Sequence, residues 1–400
     1  MRSDRFAGAL ALAALSLPAV FSRPLGAEPG PTSSNKPPME IAVVDELSWT
    51  DRTKLPIAIA RALELKATHW RIPVGWGGAE TAIPQAYKDA LDSYCQPILD
   101  AGFTLQITIS SSCFGVKPGE GGIFIDRAQL DRYVEFVGDV VSHFKGRCRR
   151  YTFWCEPNLA PFMLVALDPV TRAALDQHLF WKAIAEDKSK PEAERTAAGQ
   201  EAQKIYDKTI FPQNAIFFRD MWTRCQARAL QVDPLVKAWF GELANHRGFE
   251  FLERCLRGQK FVAEGLAIHP YQFRTAPNRK PPQRKSNVGI GRVRDLQKRL
   301  ASYARSGKLK TPGGRAVPLF CTEFGYRVEG SMGGITEAKR ASWMPRAYEF
   351  AARAGVRQML HYPMFPSDAF PDFKGLLDRD GNPYPAFESL KKWVEKYKSR

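Results

Sequence analysis

Eight short apolar runs punctuate the chain, and most are followed by a segment whose apolar residues recur at helical spacing. The runs centre on Ile41–Val44, His69–Val74, Leu105–Ile109, Tyr151–Cys155, Val236–Phe240, Leu266–His269, Leu319–Thr322 and Met359–Tyr362. They are rich in Val, Ile, Phe, Trp and Tyr, as parallel strands covered on both faces are. The intervening amphipathic segments are Lys54–Leu65, Pro84–Leu99, Arg127–Phe144, Phe218–Leu230, Phe249–Leu256, Val293–Tyr303, Arg340–Ala354 and Ala386–Tyr397. In the third, Leu130, Val134, Val137, Val140 and Val141 form one apolar stripe. The second opens on proline and stops before Gly102, a usual start and stop pair. Eight strands, each with its helix, predict an α/β fold: a single (β/α)8 TIM barrel over residues 39–400.

One connection is out of rhythm. More than fifty residues separate strand four from its helix, an insertion of about 159–215, helix-prone from Thr171 to Ile210. Connections of that length are uncommon and often functional. The start of the chain is also set apart. Arg2 and Arg5 precede the apolar stretch Ala7–Phe21, and Leu25-Gly26-Ala27 offers a cleavage site of small residues. Residues 1–27 read as a secretory signal peptide, with an apolar core shorter than the ~20 residues of a membrane span. Residues 28–38, rich in Pro, Ser and Gly, read as a flexible leader. The expectation is an exported protein, periplasmic or secreted, with no stable membrane insertion once the signal is removed.

Composition narrows the partners. The chain has 58 Lys+Arg against 42 Asp+Glu. In an exported protein that excess points away from nucleic acid, and toward either a solvated basic surface or an acidic substrate. The seven cysteines are an odd number, so at least one is unpaired within a monomer; Cys225 and Cys255 are candidates for a bridge between neighbouring helices. No CxxC pair, Cys/His metal spacing, HExxH, phosphate loop, GxSxG elbow or full GxGxxG occurs, so neither a metal nor a cofactor is expected.

Barrel enzymes carry their chemistry at the C-terminal ends of strands. Strand four ends in Trp154-Cys155-Glu156-Pro157-Asn158 and strand seven in Cys321-Thr322-Glu323-Phe324-Gly325. Two glutamates across a barrel mouth suit glycoside hydrolysis, where one carboxyl protonates the leaving oxygen and the other attacks or activates water. These motifs resemble the clan of (β/α)8 retaining glycoside hydrolases with catalytic glutamates on strands four and seven, most of all family 39, whose strand four reads Trp-Asn-Glu-Pro-Asn. The turn Gly375–Pro383 and Pro385-Ala386-Phe387 resemble the last turn and helix of those barrels. The likeness spans residues 39–400 apart from the insertion.

The resemblance implies a polysaccharide or oligosaccharide substrate, Glu156 as acid/base and Glu323 as nucleophile. It implies that Arg71, ending strand two in Trp70-Arg71-Ile72-Pro73, lies near the nucleophile and favours its charged form. His269 and Tyr271, ending strand six, would hydrogen-bond the nucleophile or a sugar hydroxyl. Asn158, closing the strand-four motif, is a further candidate contact. Asp45, Glu46 and Glu242 end strands one and five and are candidates for sugar hydroxyls, with solvent exposure as the alternative. Sugar faces stack on flat side chains, and Trp76, Phe114, Tyr326, Tyr362 and Phe365 lie at or past strand ends. Trp154 and Trp239, inside strands, are expected in the core. Cys155 departs from the clan, which has Asn there to bind the sugar 2-hydroxyl; a thiol is a weak donor with shorter reach. Beyond strand six, Arg274, Arg279, Lys280, Arg284 and Lys285 have no acidic residue among them. They suggest an anionic glycan such as a uronic-acid polymer, or else a basic loop that never touches substrate. Two other functions fit the same pattern: a glycan-binding barrel with weakened or lost catalysis, and a transglycosidase.

Overall fold

The computed structural model describes residues 38–111, 122–280, 285–327, 329–330, 334–367 and 371–399. The signal and leader assigned to residues 1–37, together with Cys113, Phe114 and Arg284, lie outside the described residues.

Eight parallel strands close into the expected barrel: β1 Glu40–Val43, β2 His69–Gly75, β3 Thr104–Ser110, β4 Cys148–Phe153, β5 Lys237–Ala244, β6 Gly265–His269, β7 Leu319–Cys321 and β8 Gln358–His361. Each strand pairs with its sequence neighbours, and β1 closes the ring by pairing with β8 from Glu40↔Gln358 to Val43↔His361. The outer ring of helices is α1 Leu55–Glu64, α2 Gln85–Asp100, α3 Arg127–His143, α6 Phe211–Val232, α7 Gly248–Cys255, α8 Val293–Arg305, α9 Glu337–Arg353 and α10 Pro385–Lys398. The insertion contributes α4 Pro169–Glu186 and α5 Glu192–Ile205.

The period-two alternation of strands sorts the side chains. On β3, Leu105, Ile107 and Ile109 face the helices and join the main apolar core, while Gln106, Thr108 and Ser110 face the barrel axis. Inside the barrel, Trp239 and Phe320 stack with ring centroids 3.8 Å apart, and Arg150 pairs with Glu40 at 2.7 Å. A packed interior of this kind is a plug, not a pore. The chemistry is therefore confined to the end above it.

The insertion is built as a helical hairpin. Asp168 caps α4 by accepting from the backbone N–H of Val170 and Thr171, and Pro169 occupies the first turn, where its missing donor costs nothing. A π-helical turn, Tyr206–Ile210, leads from α5 into α6. It carries Asp207, which pairs with Arg247 at the start of α7, and the Arg247 guanidinium lies 3.8 Å above the Phe211 ring. The fourth barrel helix thus starts at Phe211, seven residues before the expected Phe218, because the helical path continues unbroken from the insertion.

Cys225 and Cys255 form no disulfide. Both thiols are free and buried, and Cys255 donates to the Ala215 carbonyl. Among the described residues, no helix is long and apolar enough to cross a membrane.

Candidate active site

Strand β4 ends in strained backbone. Trp154 has φ +89° and Glu156 φ +48°, a region that L-residues enter at a cost of order 1–3 kcal/mol each and that clusters at functional sites. The Trp154 ring is fully buried between Phe124, Tyr133 and Trp76, with its indole N–H on the Phe162 carbonyl. That packing holds the turn, and the turn directs Glu156 to the mouth.

Asn158 supports the same turn. Its amide accepts from the backbone N–H of Ala244 and donates to the carbonyls of Ala244 and His246. It is completely buried, so it braces β4 against β5 and is unavailable to substrate, contrary to expectation.

Arg71, on β2, is 2% exposed and organises one side of the site. Nε donates to Thr108 Oγ1, Nη1 to Glu323 Oε1 and Nη2 to Glu242 Oε2, each at 2.8 Å. Nη2 also lies 3.7 Å from Cys155 Sγ. Thr108 in turn donates to Glu242 Oε1 and accepts from Thr152. A guanidinium used as a planar fork between two carboxylates is rigidly oriented.

Glu242 is therefore neither a sugar contact nor a solvated end, the two roles considered for it. It is fully buried, its carboxylate spent on Arg71 and Thr108. A break in strand register between Gly241 and Leu243 turns it inward. Gly241 permits this: its φ is +100°, and a Cβ there would sit 2.7 Å from the Ala267 carbonyl oxygen.

On the other side, His269 Nδ1 lies 2.8 Å from Glu156 Oε1 and 3.4 Å from Glu323 Oε2. One nitrogen thus brackets both carboxylates, whose nearest oxygens can be no more than about 6 Å apart. Tyr271 donates its hydroxyl to Glu323 Oε2 at 2.8 Å. Burial raises the Glu156 pKa above that of an ordinary glutamate, against the hydrogen bond and charge of His269; the charge of Glu323 adds to the rise. Burial disfavours charge on His269, but the negative Glu323, Glu156 and Glu242 outweigh it and raise its pKa. Burial, then the charge of Glu323, pushes the Tyr271 phenol and the Cys155 thiol well up, so both remain protonated. Cys155 Sγ, a His269 nitrogen and a Glu323 oxygen also lie within 4.8 Å of one another.

The remaining expectations divide. Tyr362 reaches the mouth, where its hydroxyl donates to Glu46 Oε1, and Ser367 donates to Oε2. Burial raises the Glu46 pKa, with those two hydrogen bonds opposing. Asp45 is fully buried instead, accepting from the backbone N–H of Ser48 and Phe365. Trp76 is a correction: it is fully buried, packed on Tyr133 of α3 and on Trp154, and offers no face to a sugar. Tyr326 is another, enclosed by Phe324 and Trp343 on the helix side of β7. Phe365 is likewise core. Phe273 and Phe373 were not foreseen, yet both flank Tyr271, Phe273 with its ring parallel to within 3°. Arg327 lies 4.6 Å over the Phe273 ring. The aromatic residue two after Tyr271 was the one available signal.

Of the basic loop, Arg274, Arg279, Lys280 and Lys285 are exposed, but Lys280 pairs with Asp295. Gln272 pins the loop by donating to the Ala276 and Arg279 carbonyls and accepting from the Gly291 N–H.

The site is a closed parallel barrel with a glutamate beyond each of strands four and seven, the two bridged by His269 and the second also held by Arg71. No family model matches the chain, and no curated protein does. Solved structures share its fold. A family 39 glycoside hydrolase from Bacteroides cellulosilyticus WH2 superposes with a TM-score of 0.58 at 16% identity, over 89% of this chain and 63% of its own. An exo-β-1,4-mannosidase from Opitutaceae bacterium strain TAV5 gives 0.53 at 12%, over 90% and 59%. A monomeric β-xylosidase from Caulobacter crescentus CB15 gives 0.55 at 14%, over 88% and 67%. The chain thus spans less than two thirds of the first two, and what it shares with all three is the barrel.

Proposed function

We propose that the protein is a retaining glycoside hydrolase, with Glu156 as acid/base and Glu323 as nucleophile. The observation that carries this is the bracketing of both carboxylates by His269, which holds their nearest oxygens within about 6 Å. Retaining enzymes space the two groups at ~5–5.5 Å, whereas inverting enzymes leave ~6.5–9.5 Å for a water. The electrostatics agree with the division of labour. Glu156, its pKa raised, holds a proton for the leaving oxygen; Glu323 accepts from Arg71 and Tyr271 and presents a carboxylate for attack. After attack, Glu156 has lost its proton and activates the water that releases the sugar.

Glu323→Ala should abolish turnover of an aryl glycoside, and azide should restore cleavage with inverted configuration. Glu156→Ala should spare activated aryl leaving groups far more than natural ones. Equal loss on both substrate types would remove Glu156 from the acid role.

The exposed Arg274, Arg279 and Lys285 support an anionic glycan, its acidic groups met outside the carboxylate-rich floor of the site. Arg279→Ser with Lys285→Ser should raise KM for such a polymer at low salt, and added salt should erase the difference. The basic and then apolar opening of the sequence supports export, with action on glycans outside the cytoplasm.

A further inference from the structure

The strand-four thiol is the least explained group in the site. Cys155 is 6% exposed, its thiol protonated, and among the described residues its one hydrogen-bond contact is a long approach from Arg71. Hydrolysis as described assigns it no step. Yet its sulfur, a His269 nitrogen and a Glu323 oxygen lie mutually within 4.8 Å. His269 is fully buried, and among the described residues its Nε2 has no hydrogen-bond partner, facing Glu242 at 3.9 Å. The nitrogen turned toward Glu323 is the other one, Nδ1, 3.4 Å from Oε2.

We propose that Cys155, His269 and Glu323 form a binding site for a thiophilic divalent cation, with Zn2+ the best match. The donor set of one sulfur, one nitrogen and one oxygen is of the kind zinc accepts, leaving a fourth position for water. Bond lengths of ~2.0–2.3 Å at tetrahedral angles place ligand atoms about 3.3–3.6 Å apart. His269 Nδ1 and Glu323 Oε2 already stand at 3.4 Å, so what remains is for the thiol, within 4.8 Å of a histidine nitrogen and a Glu323 oxygen, to close to bonding reach. Charge favours the ion. Glu242 and Glu323 lie at the cluster, and the charge of Arg71 is shared between the two. The thiol proton, and any proton on His269 Nδ1, leave to solvent as the Zn–S and Zn–N bonds form. With Nδ1 on the ion, Nε2 facing Glu242 at 3.9 Å would orient the histidine as an outer carboxylate does in metal sites, and Nδ1 would exchange its Glu156 contact for the ion.

An asparagine at position 155 would supply no thiolate, so this site exists because of the departure at Cys155. Given the hydrolase reading above, the bound ion would occupy the nucleophile and inhibit in competition with glycan.

The test uses the full chain, stripped with a chelator and titrated with Zn2+ against a chromophoric competitor. Wild type, Cys155→Ser and Cys113→Ser are compared, the last controlling for the cysteine outside the described residues. Circular dichroism establishes that each variant is folded. The expected result is one Zn2+ per chain, bound at least ~10-fold more weakly by Cys155→Ser (about 1.4 kcal/mol) and unchanged in Cys113→Ser. X-ray absorption should find one sulfur at ~2.3 Å from zinc. Equal affinity in wild type and Cys155→Ser, or a zinc shell without sulfur, overturns the proposal. Binding is read without substrate, so it stands or falls separately from hydrolysis. Zinc that binds without raising KM for a cleaved glycan would remove the inhibitory role.

Discussion

Arg71→Met separates what holds the barrel together from what serves its chemistry. The change removes a guanidinium that bridges Glu242 and Glu323, each at 2.8 Å. Glu242 is fully buried, so its carboxylate would be left without a counter-charge, and breaking a buried pair from one side costs about 3–5 kcal/mol. Glu323 keeps Tyr271 but loses one charge-assisted hydrogen bond, worth roughly 1.5–3 kcal/mol, or about 10- to 150-fold in kcat/KM. The two losses should come apart in the double variant Arg71→Met/Glu242→Gln. With no orphan charge, it should recover at least half of the lost stability in urea unfolding followed by tryptophan fluorescence. Its kcat/KM should stay as low as in the single variant, since Glu323 is still missing its donor. A double variant as unstable as the single would refute the assignment of stability to the Arg71–Glu242 pair. Recovered activity in the double would show that Arg71 acts through Glu242 and not through Glu323.

Other expectations follow from the same geometry. Cys155→Asn should raise kcat/KM about 10-fold on a glycan with a free 2-hydroxyl, by adding a hydrogen bond of roughly 1–1.5 kcal/mol; an unchanged or lower value would mean another group already makes that contact. Because burial raises the Glu156 pKa and the acid must be protonated to act, kcat/KM should hold above the range of an ordinary glutamate and fall as pH rises through the raised value. Glu156→Gln should abolish that alkaline limb, and a limb that survives belongs to another group. Burial lowers the His361 pKa from 6.5 to about 3, so the folded state resists a proton that the unfolded state accepts. Its contribution is intact above pH 6.5 and lost progressively toward pH 3, amounting to about 2 kcal/mol at pH 5. His361→Gln should shrink the stability difference between pH 7 and pH 5 by that amount; an unchanged difference would acquit His361.

The barrel was legible because its strands are covered on both faces and so stand out as apolar runs between amphipathic helices. The strand ends carried Glu156, His269, Tyr271 and Glu323 to one place because parallel strands of a barrel all end on the same face; Arg71 does not end β2, which runs on to Gly75, and reaches the site from within the strand. What lay beyond the strands was harder. Trp76 follows β2 as closely as Tyr362 follows β8, and Tyr326 lies a few residues past β7, yet both turn to the helix layer; residue type does not encode that turn. Asn158 reads as a polar side chain near a site, but the carbonyls it binds belong to β5 and the residues just after it, about ninety positions away. Glu242 depends on a bulge at Gly241 that periodicity does not show. Cys155, His269 and Glu323 meet from three different strands, so no local spacing in the sequence marks their proximity.

The most direct measurement is the site of covalent labelling by 2-deoxy-2-fluoro glycosides with activated leaving groups, read by intact mass and peptide mapping. Such sugars slow release of a glycosyl-enzyme more than its formation, so a retaining enzyme accumulates the adduct. The account predicts one sugar per chain, esterified to Glu323, and none on Glu323→Gln. A sugar attached elsewhere, or turnover of the parent glycoside with inverted configuration and no adduct, would contradict it.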